Sequence, residues 1–587
     1  MLGLPAFLCT SRITCLRLLE NRIPLAAATL SVRQMATITK KFVNDPRNAV
    51  DDALDGLVNT SEHVTFDKNC RRVVLRADYV DYCGKGKVAL IAGGGSGHEP
   101  FAAGYTGPGM LTAAVAGNVF ASPPSRHVSA ALNSTSSKGG SILFIINYTG
   151  DRLNFGLAAE RYKTGGHDVR VVTIADDVAI DKAMSTAGRR GLAAAVLVLK
   201  IAGAMAESGK YSAEQIEAMS NKINDHAGTI GVSLYPCSVP GQGKMFQMPD
   251  DMMEVGLGIH GEPGSRREAV QSANKVVDIM MEKLQKTVQF SKDEPVVLLL
   301  NNLGGVSQLE MGIIKSEVTK WCHQHNIEIA RILCGTYMTS LDGHGISLTV
   351  LRLFDKQLLE FIDAPTSAPG WHGADKLGRP ESAPSAEKSQ SIAVQASSKG
   401  AEFTKEQSEL ARKCVIAVCE KMTAMEAELN ALDGAAGDGD CGSTFAHASR
   451  AIQERMKTLE LTSAHSNYCF ASLKYSNRKW EVLEELQSIY ALMLSAASEA
   501  FEKSTESKDF AMALQKASEA VQKYGGAKPG DRTLAAAKEA QATATMTARA
   551  GRASYTAKEV QTKPDAGAVA ISAYMKTIWG TIKQSSH

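Results

Sequence analysis

The stretch Val88–Pro100, VALIAGGGSGHEP, decides the fold. Its first five residues are apolar and read as a strand, and the run stops abruptly at three glycines. A glycine-rich turn there lets backbone N–H groups approach a small polar ligand closely. No Gly-Lys-Ser/Thr follows, so this is not a Walker A phosphate loop. His98 closes the turn and is a candidate acid or base. Runs of the same kind recur as far as Asp363: SILFII, VRVVTI, GTIGVSL, PVVLLL, IEIARIL and ISLTVLRL. Helix-like or glycine-rich segments separate them, which predicts α/β layers.

Residues 366–403 are rich in Ser, Ala, Pro and Gly with no apolar period, and read as a linker. From Thr404 the strand-like runs end and Ala, Glu, Lys, Leu and Met dominate, which predicts an all-helical second half. The expected organisation is an N-terminal extension over 1–35, an α/β domain over 36–365, the linker, and a helical domain over 404–587. Thr404-Lys-Glu-Gln407 has capping-box form, and apolar residues recur at Leu410, Cys414, Val418, Met422, Met425, Leu429 and Leu432. That helix leads into Asp433–Gly442, DGAAGDGDCG. Asp433, Asp438 and Asp440 are set there among small residues. Hard oxygen ligands at that density suit Mg²⁺ with substrate phosphates; a solvated acidic turn is the competing reading. The later ligands of an EF-hand are absent.

A net charge of +2 gives no reason to expect nucleic acid or a membrane surface as partner. Eleven cysteines lie scattered without a CxxC, which suggests reduced thiols in the cytoplasm. The apolar run Ala193–Ala206 is interrupted by Lys200, so no membrane span is expected. Residues 1–34 carry Arg12, Arg17, Arg22 and Arg33 with one acid, Glu20, and resemble a mitochondrial transit peptide. The alternative is a start at Met35, whose MATITKKFVNDP reads as a cytosolic N-terminus.

Two more constellations follow apolar runs. In Ile146–Asp151, INYTGD, an aspartate sits just past a strand, where α/β folds place working groups; it could equally cap the next helix. In Gly256–Gly264, GLGIHGEPG, His260 lies among glycines and a proline. A histidine in that setting is a candidate ligand, base or nucleophile, with a structural role as the alternative.

Taken together, GGGSGHEP, NYTGD, AGRRG (187–191), CSVPG (237–241), GIHGEPG, NNLGG (301–305), SLDGHGISLT (340–349), DGAAGDGDCG, KPGDRT (528–533) and GRASY (551–555) resemble the dihydroxyacetone kinase family. Their order and the linker are similar to those of the animal triokinase/FMN cyclases. The resemblance implies an α/β two-subdomain triose-binding domain followed by an all-α helical-barrel ATP domain. It implies that His260 attacks the triose carbonyl to form a hemiaminal, with His98 and Asp151 as acid/base pair. Gly94, Gly95, Ser96 and Gly97 would line the triose site. Asp433, Asp438 and Asp440 would chelate two Mg²⁺ ions across the ATP phosphates. Gly439, Cys441, Gly442, Ser443, Thr444, Gly530, Asp531, Arg532, Gly551 and Arg552 would complete the nucleotide site. The implied substrates are dihydroxyacetone, D-glyceraldehyde and ATP. FAD would serve a cyclic-FMN-forming lyase reaction with Mn²⁺ or Co²⁺. The implied assembly is a homodimer.

The chain departs from the family in three places. Ile146 stands where relatives carry a lysine that contacts the triose, which predicts weaker triose binding. The Gly-rich phosphate loop is replaced by Phe470–Leu494, without glycine and with Glu484 and Glu485, whose charge opposes ATP. Between Thr533 and Gly551 the chain is short by about one helix. These changes leave a second expectation open, a triose-binding protein with an impaired ATP domain.

Overall fold

The computed structural model describes residues 40–180, 188–262, 264–377, 404–435, 439–457, 507–525, 534–546 and 563–585. They fall into two units that divide at Pro380/Glu381.

The first unit is built on two six-stranded sheets. In the first, β1 (Val64–Phe66), β2 (Val73–Arg76), β3 (Ala89–Ser96), β4 (Ala113–Val119), β5 (Ser141–Ile146) and β6 (Val169–Ile174) lie in the order β1-β2-β4-β3-β5-β6. The four strands β4, β3, β5 and β6 are parallel. The second contains β7 (Ala227–Tyr235), β10 (Met252–Val255), β11 (Arg266–Ala269), β12 (Val296–Asn302), β13 (Ile329–Gly335) and β14 (His344–Arg352), ordered β11-β10-β7-β14-β12-β13. A small hairpin of β8 (Ser238–Val239) and β9 (Gly243–Lys244) stands beside it. All seven apolar runs read from the sequence are strands.

The helix Ala194–Ser208 is buried on every face from Ala194 to Ala206, as a sequence that is apolar all round except at Lys200 dictates. It packs between the sheets, against Leu90, Phe144 and Val172 of one and Val297, Leu299 and Leu351 of the other. Lys200 is fully buried within it. Its ammonium donates to the Phe361 carbonyl at 2.7 Å, and burial pushes its pKa down to about 8. The outer faces are covered by Ser125–Ser134 and Thr149–Thr164 on the first sheet and by Ala273–Val288 and Gln308–Gln324 on the second. No helix among the described residues is long and apolar enough to cross a membrane.

Residues 366–377, assigned to the linker on composition, are docked on the first unit instead. The N–H groups of Ser367, Gly370 and Asp375 donate to the carbonyls of Pro108, Gly104 and Ile332. These backbone bonds override a composition that by itself predicts flexibility.

The described part of the second unit is helical: Lys405–Ala424, Glu426–Asp433, Cys441–Met456, Ser507–Gly525, a 3₁₀ stretch Leu534–Thr545 and Ala566–Ser585. Thr404 caps its helix with the capping box expected from the sequence. The apolar stripe does not run through one rod; the helix ends at Ala424 and a second begins at Glu426. Val418, Met422, Met425 and Leu429 from this pair pack on Phe445, Ala540 and Val569.

Candidate active site

The site lies where the parallel strands β3 and β5 end, the crevice that open α/β sheets use for ligands. After Ser96 the chain turns sharply. Gly97 has φ +103°, and a β-carbon on it would lie 2.7 Å from the Phe120 ring. Thr339 clamps this turn: its hydroxyl donates to the carbonyls of Gly97 and Glu99, and its N–H to that of His98. Leu341 N–H donates to Gly97 O at 2.7 Å.

His98 is 2 % exposed. Its Nδ1 lies 2.8 Å from the Thr339 carbonyl. A carbonyl only accepts, so Nδ1 carries the proton and Nε2 presents a lone pair. Nε2 is buried with no hydrogen-bond partner. Burial, reinforced by the His260 ring, pushes the His98 pKa down to about 3, so the ring is neutral.

Asp151 stands in the first turn of Thr149–Thr164 and is 5 % exposed. The cap position of that helix is Tyr148, without a side-chain bond, so Asp151 does not cap it. Its Oδ1 accepts from the Ser122 hydroxyl at 2.6 Å. A β-carbon on Gly94 would lie 3.9 Å from Oδ1, so the glycine turn faces this carboxyl. Burial raises the Asp151 pKa to about 6, against the opposing pull of Ser122 and His260.

His260 arrives on the loop after β10. It is not openly exposed, as its glycine-rich setting suggested; its side chain is 21 % accessible. Three rings stand edge-on to it, Tyr148 at 4.4 Å, His98 at 4.8 Å and Phe120 at 5.3 Å between centroids. The structure therefore gathers His98, Asp151, His260 and Gly94–Gly97 around one point.

Tyr148, Phe120, Ser122, Thr339 and Glu262 escaped the sequence reading as individuals. Tyr148 and Glu262 stood inside quoted motifs; Phe120, Ser122 and Thr339 carried no local signal. NNLGG is explained by the same clamp: Asn301 accepts from the N–H groups of Tyr337 and Met338 and donates to the Met338 carbonyl, which holds the chain leading to Thr339. Ile146 is 3 % exposed in the apolar core, with its Cγ2 against Gly191. A cavity of about 390 Å³ shares the Gly94–Ser96 wall. Its remaining lining, including Leu54, Glu99, Phe101 and His372, leaves out His98, Asp151 and His260.

In the second unit, Asp433 Oδ2 accepts from three successive N–H groups, Gly439, Asp440 and Cys441, at 2.9, 3.1 and 3.3 Å. Residues 439–441 thus point their N–H groups at one carboxylate. Asp440 begins the helix Cys441–Met456, its carbonyl accepting from Thr444 N–H. Asn430 holds Ser443 through both its amide atoms. A β-carbon on Gly442 would lie 2.0 Å from the Glu426 carbonyl, so only glycine lets the two helices meet there. Carboxylates are the hard oxygen ligands that a divalent cation takes together with phosphates. Of the three acids Asp433 and Asp440 are described, and among the described residues no group of three such side chains gathers to hold a metal ion. Asp438, Gly530, Asp531, Arg532, Gly551 and Arg552 lie outside the described residues, as does Phe470–Leu494; of the short stretch between Thr533 and Gly551, Leu534–Thr545 is the 3₁₀ stretch and residues 547–550 lie outside the described residues.

Comparison with known proteins agrees with both halves. Residues 55–370 match the Dak1 domain and residues 435–535 the DAK2 domain. Triokinase/FMN cyclase of Homo sapiens is 39% identical over 92% of this chain and 99% of its own length. Dihydroxyacetone kinase 2 of Saccharomyces cerevisiae is 33% identical over 91% of this chain and 98% of its own. The crystal structure of the C. freundii dihydroxyacetone kinase in complex with AMP-PNP and Mg²⁺ is 30% identical, with a TM-score of 0.61 over 92% of this chain and 99% of that one. This chain belongs to the dihydroxyacetone kinase family.

Proposed function

We propose that the chain phosphorylates dihydroxyacetone with ATP, holding the triose as a hemiaminal on His260. The observation that carries this is the convergence of His260, neutral His98 and buried Asp151 on the glycine turn. Tethering the carbonyl makes attack by the free hydroxyl effectively unimolecular. A triose binds through its carbonyl, so glycerol is rejected. His98 Nε2 accepts a hydrogen bond from a substrate hydroxyl, and Asp151 takes the hydroxyl proton as attack proceeds. In the second unit, Asp433, Asp438 and Asp440 would hold two Mg²⁺ ions. Bound there, the ions neutralise charge on the transferring phosphate.

The site admits any short carbonyl compound with a neighbouring hydroxyl, which extends the reading to D-glyceraldehyde. The mammalian relatives are named triokinase/FMN cyclase, which supports a second activity; we read it as FAD cleavage to AMP and cyclic FMN with Mn²⁺ or Co²⁺. That reaction needs no carbonyl tether. The remaining parts of the proposal are a closed helical barrel for the second unit, a homodimeric assembly and a cytoplasmic location.

The test is Mg²⁺-dependent phosphorylation of dihydroxyacetone by the purified chain, with Asp438→Ala and His260→Ala beside it. Both substitutions are expected to abolish it, His260→Ala by about 10³-fold or more. FAD cleavage is expected to survive His260→Ala and to fail in Asp438→Ala. Triose phosphorylation that persists in His260→Ala refutes the hemiaminal. Triose binding with no phosphorylation in the unsubstituted chain would leave a binding protein with an impaired ATP domain.

A further inference from the structure

We propose that Glu262 is the positioning residue for His260: its carboxylate selects the imidazole tautomer with hydrogen on Nδ1, leaving Nε2 to attack a carbonyl. This rests on the hemiaminal reading above.

Glu262 grips the nucleophile twice. Oε2 accepts the His260 backbone N–H at 3.0 Å, and Oε1 lies 3.5 Å from Nδ1 of the ring. One side chain thus fixes both the backbone and the ring of the same residue. The carboxylate can reach there only because residue 258 is glycine. A β-carbon on Gly258 would lie 2.2 Å from Glu262 Oε2 and 2.7 Å from Arg190 Nη1. The guanidinium beside it is itself held, by Asp177 at 2.6 Å and by the Gly256 carbonyl at 2.7 Å. Burial alone would raise the Glu262 pKa; the bond to His260 and the charge of Arg190 outweigh it and keep the carboxyl ionised.

An acceptor on one ring nitrogen dictates which nitrogen reacts. Oε1, 3.5 Å from Nδ1, can only accept from it, so it favours the tautomer with the lone pair on Nε2. When Nε2 bonds to the carbonyl carbon, the C=O π pair moves to oxygen and the ring becomes cationic. The ring then loses its Nδ1 proton to Glu262, the oxygen takes one from water, and Glu262 passes its proton to the hydroxide so formed. The net change moves one proton from ring to oxygen, with no oxidant or reductant. The carboxylate offsets the ring charge while the bond forms. Arg190 and Asp177 lie farther out and act through Glu262.

The competing role for Glu262 is to stabilise the turn alone. The experiment uses the full chain as Glu262→Ala, Glu262→Gln and His260→Ala, with histidine ¹⁵N spectra, dihydroxyacetone titration and steady-state phosphorylation. The unsubstituted chain is expected to show His260 as the Nδ1–H tautomer. In Glu262→Ala that signal should give way to the Nε2–H form, with triose affinity falling about 10–100-fold, the usual effect of losing such an orienting partner. The isosteric Glu262→Gln keeps an acceptor and should keep the tautomer with a smaller loss, and it decides the matter if the alanine variant does not fold. Mg²⁺-ATP affinity is expected to be unchanged in all of them. An unchanged tautomer and unchanged triose affinity in Glu262→Ala overturn the proposal, as does a lowered melting temperature with the tautomer retained. Triose still tethered in His260→Ala would instead overturn the hemiaminal reading beneath it.

Discussion

Asp151 is the residue whose chemistry is most exposed to pH. Its carboxyl must be ionised to take a proton from the substrate, and burial places its pKa at about 6. Phosphorylation should therefore climb as pH rises through about 6. Ser122→Ala removes the hydrogen bond that favours the ionised form, so this limb should move to higher pH in a kcat/KM profile; a limb that stays put removes Asp151 from the role. Asp151→Asn should cost roughly 10²–10⁴-fold in kcat with the triose still bound. Stability runs the other way. A carboxyl whose pKa is raised on folding contributes stability below its unfolded value of 3.8, and that contribution is lost as pH rises through about 6. Asp151→Asn should flatten that part of the stability profile measured by denaturant unfolding. His98 differs because Thr339 fixes its proton on Nδ1; His98→Asn can still present a polar group but not the same lone pair, and should weaken KM more than it alters the acid limb.

At the scale of elements, the site depends on loops pressed against each other with no room for a side chain. Gly442→Ala should push Glu426–Asp433 away from Cys441–Met456, destabilising the second unit by about 1–3 kcal/mol, as overpacking generally does. It should also lower Mg²⁺-AMP-PNP affinity while leaving dihydroxyacetone binding intact, which calorimetry on each ligand would separate. The same scale shows what was legible in the sequence. Of the seven strands with long apolar runs, β3, β5, β7, β12 and β14 announce themselves because both their faces are buried, while β6 and β13 are half-buried edge strands. β10 and β11, MMEV and RREA, do not, because they lie towards one edge and carry charge. His98 and His260 were legible because each stands on a glycine-rich turn, and Asp151 because it comes just past an apolar strand. Thr339, Phe120 and Ser122 were not, because their part is defined only by what the fold brings to them. The linker was misplaced by twelve residues for a related reason: composition reports local stiffness, and 366–377 are held by bonds to Gly104, Pro108 and Ile332.

For the whole molecule, the chain divides into two units at Pro380/Glu381, and the proposed function assigns carbonyl capture to the first and nucleotide binding to the second. The dihydroxyacetone kinase operon co-activator DhaQ is matched over 97% of its own chain by 55% of this one, with 31% identity and a TM-score of 0.52. Residues 40–380 expressed alone should bind dihydroxyacetone and phosphorylate none, as read by calorimetry and by phosphate transfer; failure to fold or bind would show that the units depend on each other. The clamp on His98 has a consequence for how this chain is made. The bond to Thr339 joins residues 241 apart, so the proton on His98 is not fixed until residue 339 has left the ribosome. At about 5–20 residues per second that interval is roughly 10–50 s. Throughout it the nascent chain carries His98 and later His260 without their folded surroundings, so on the proposed hemiaminal reading the cell's carbonyl compounds meet the imidazole of His260 before the site that selects among them exists.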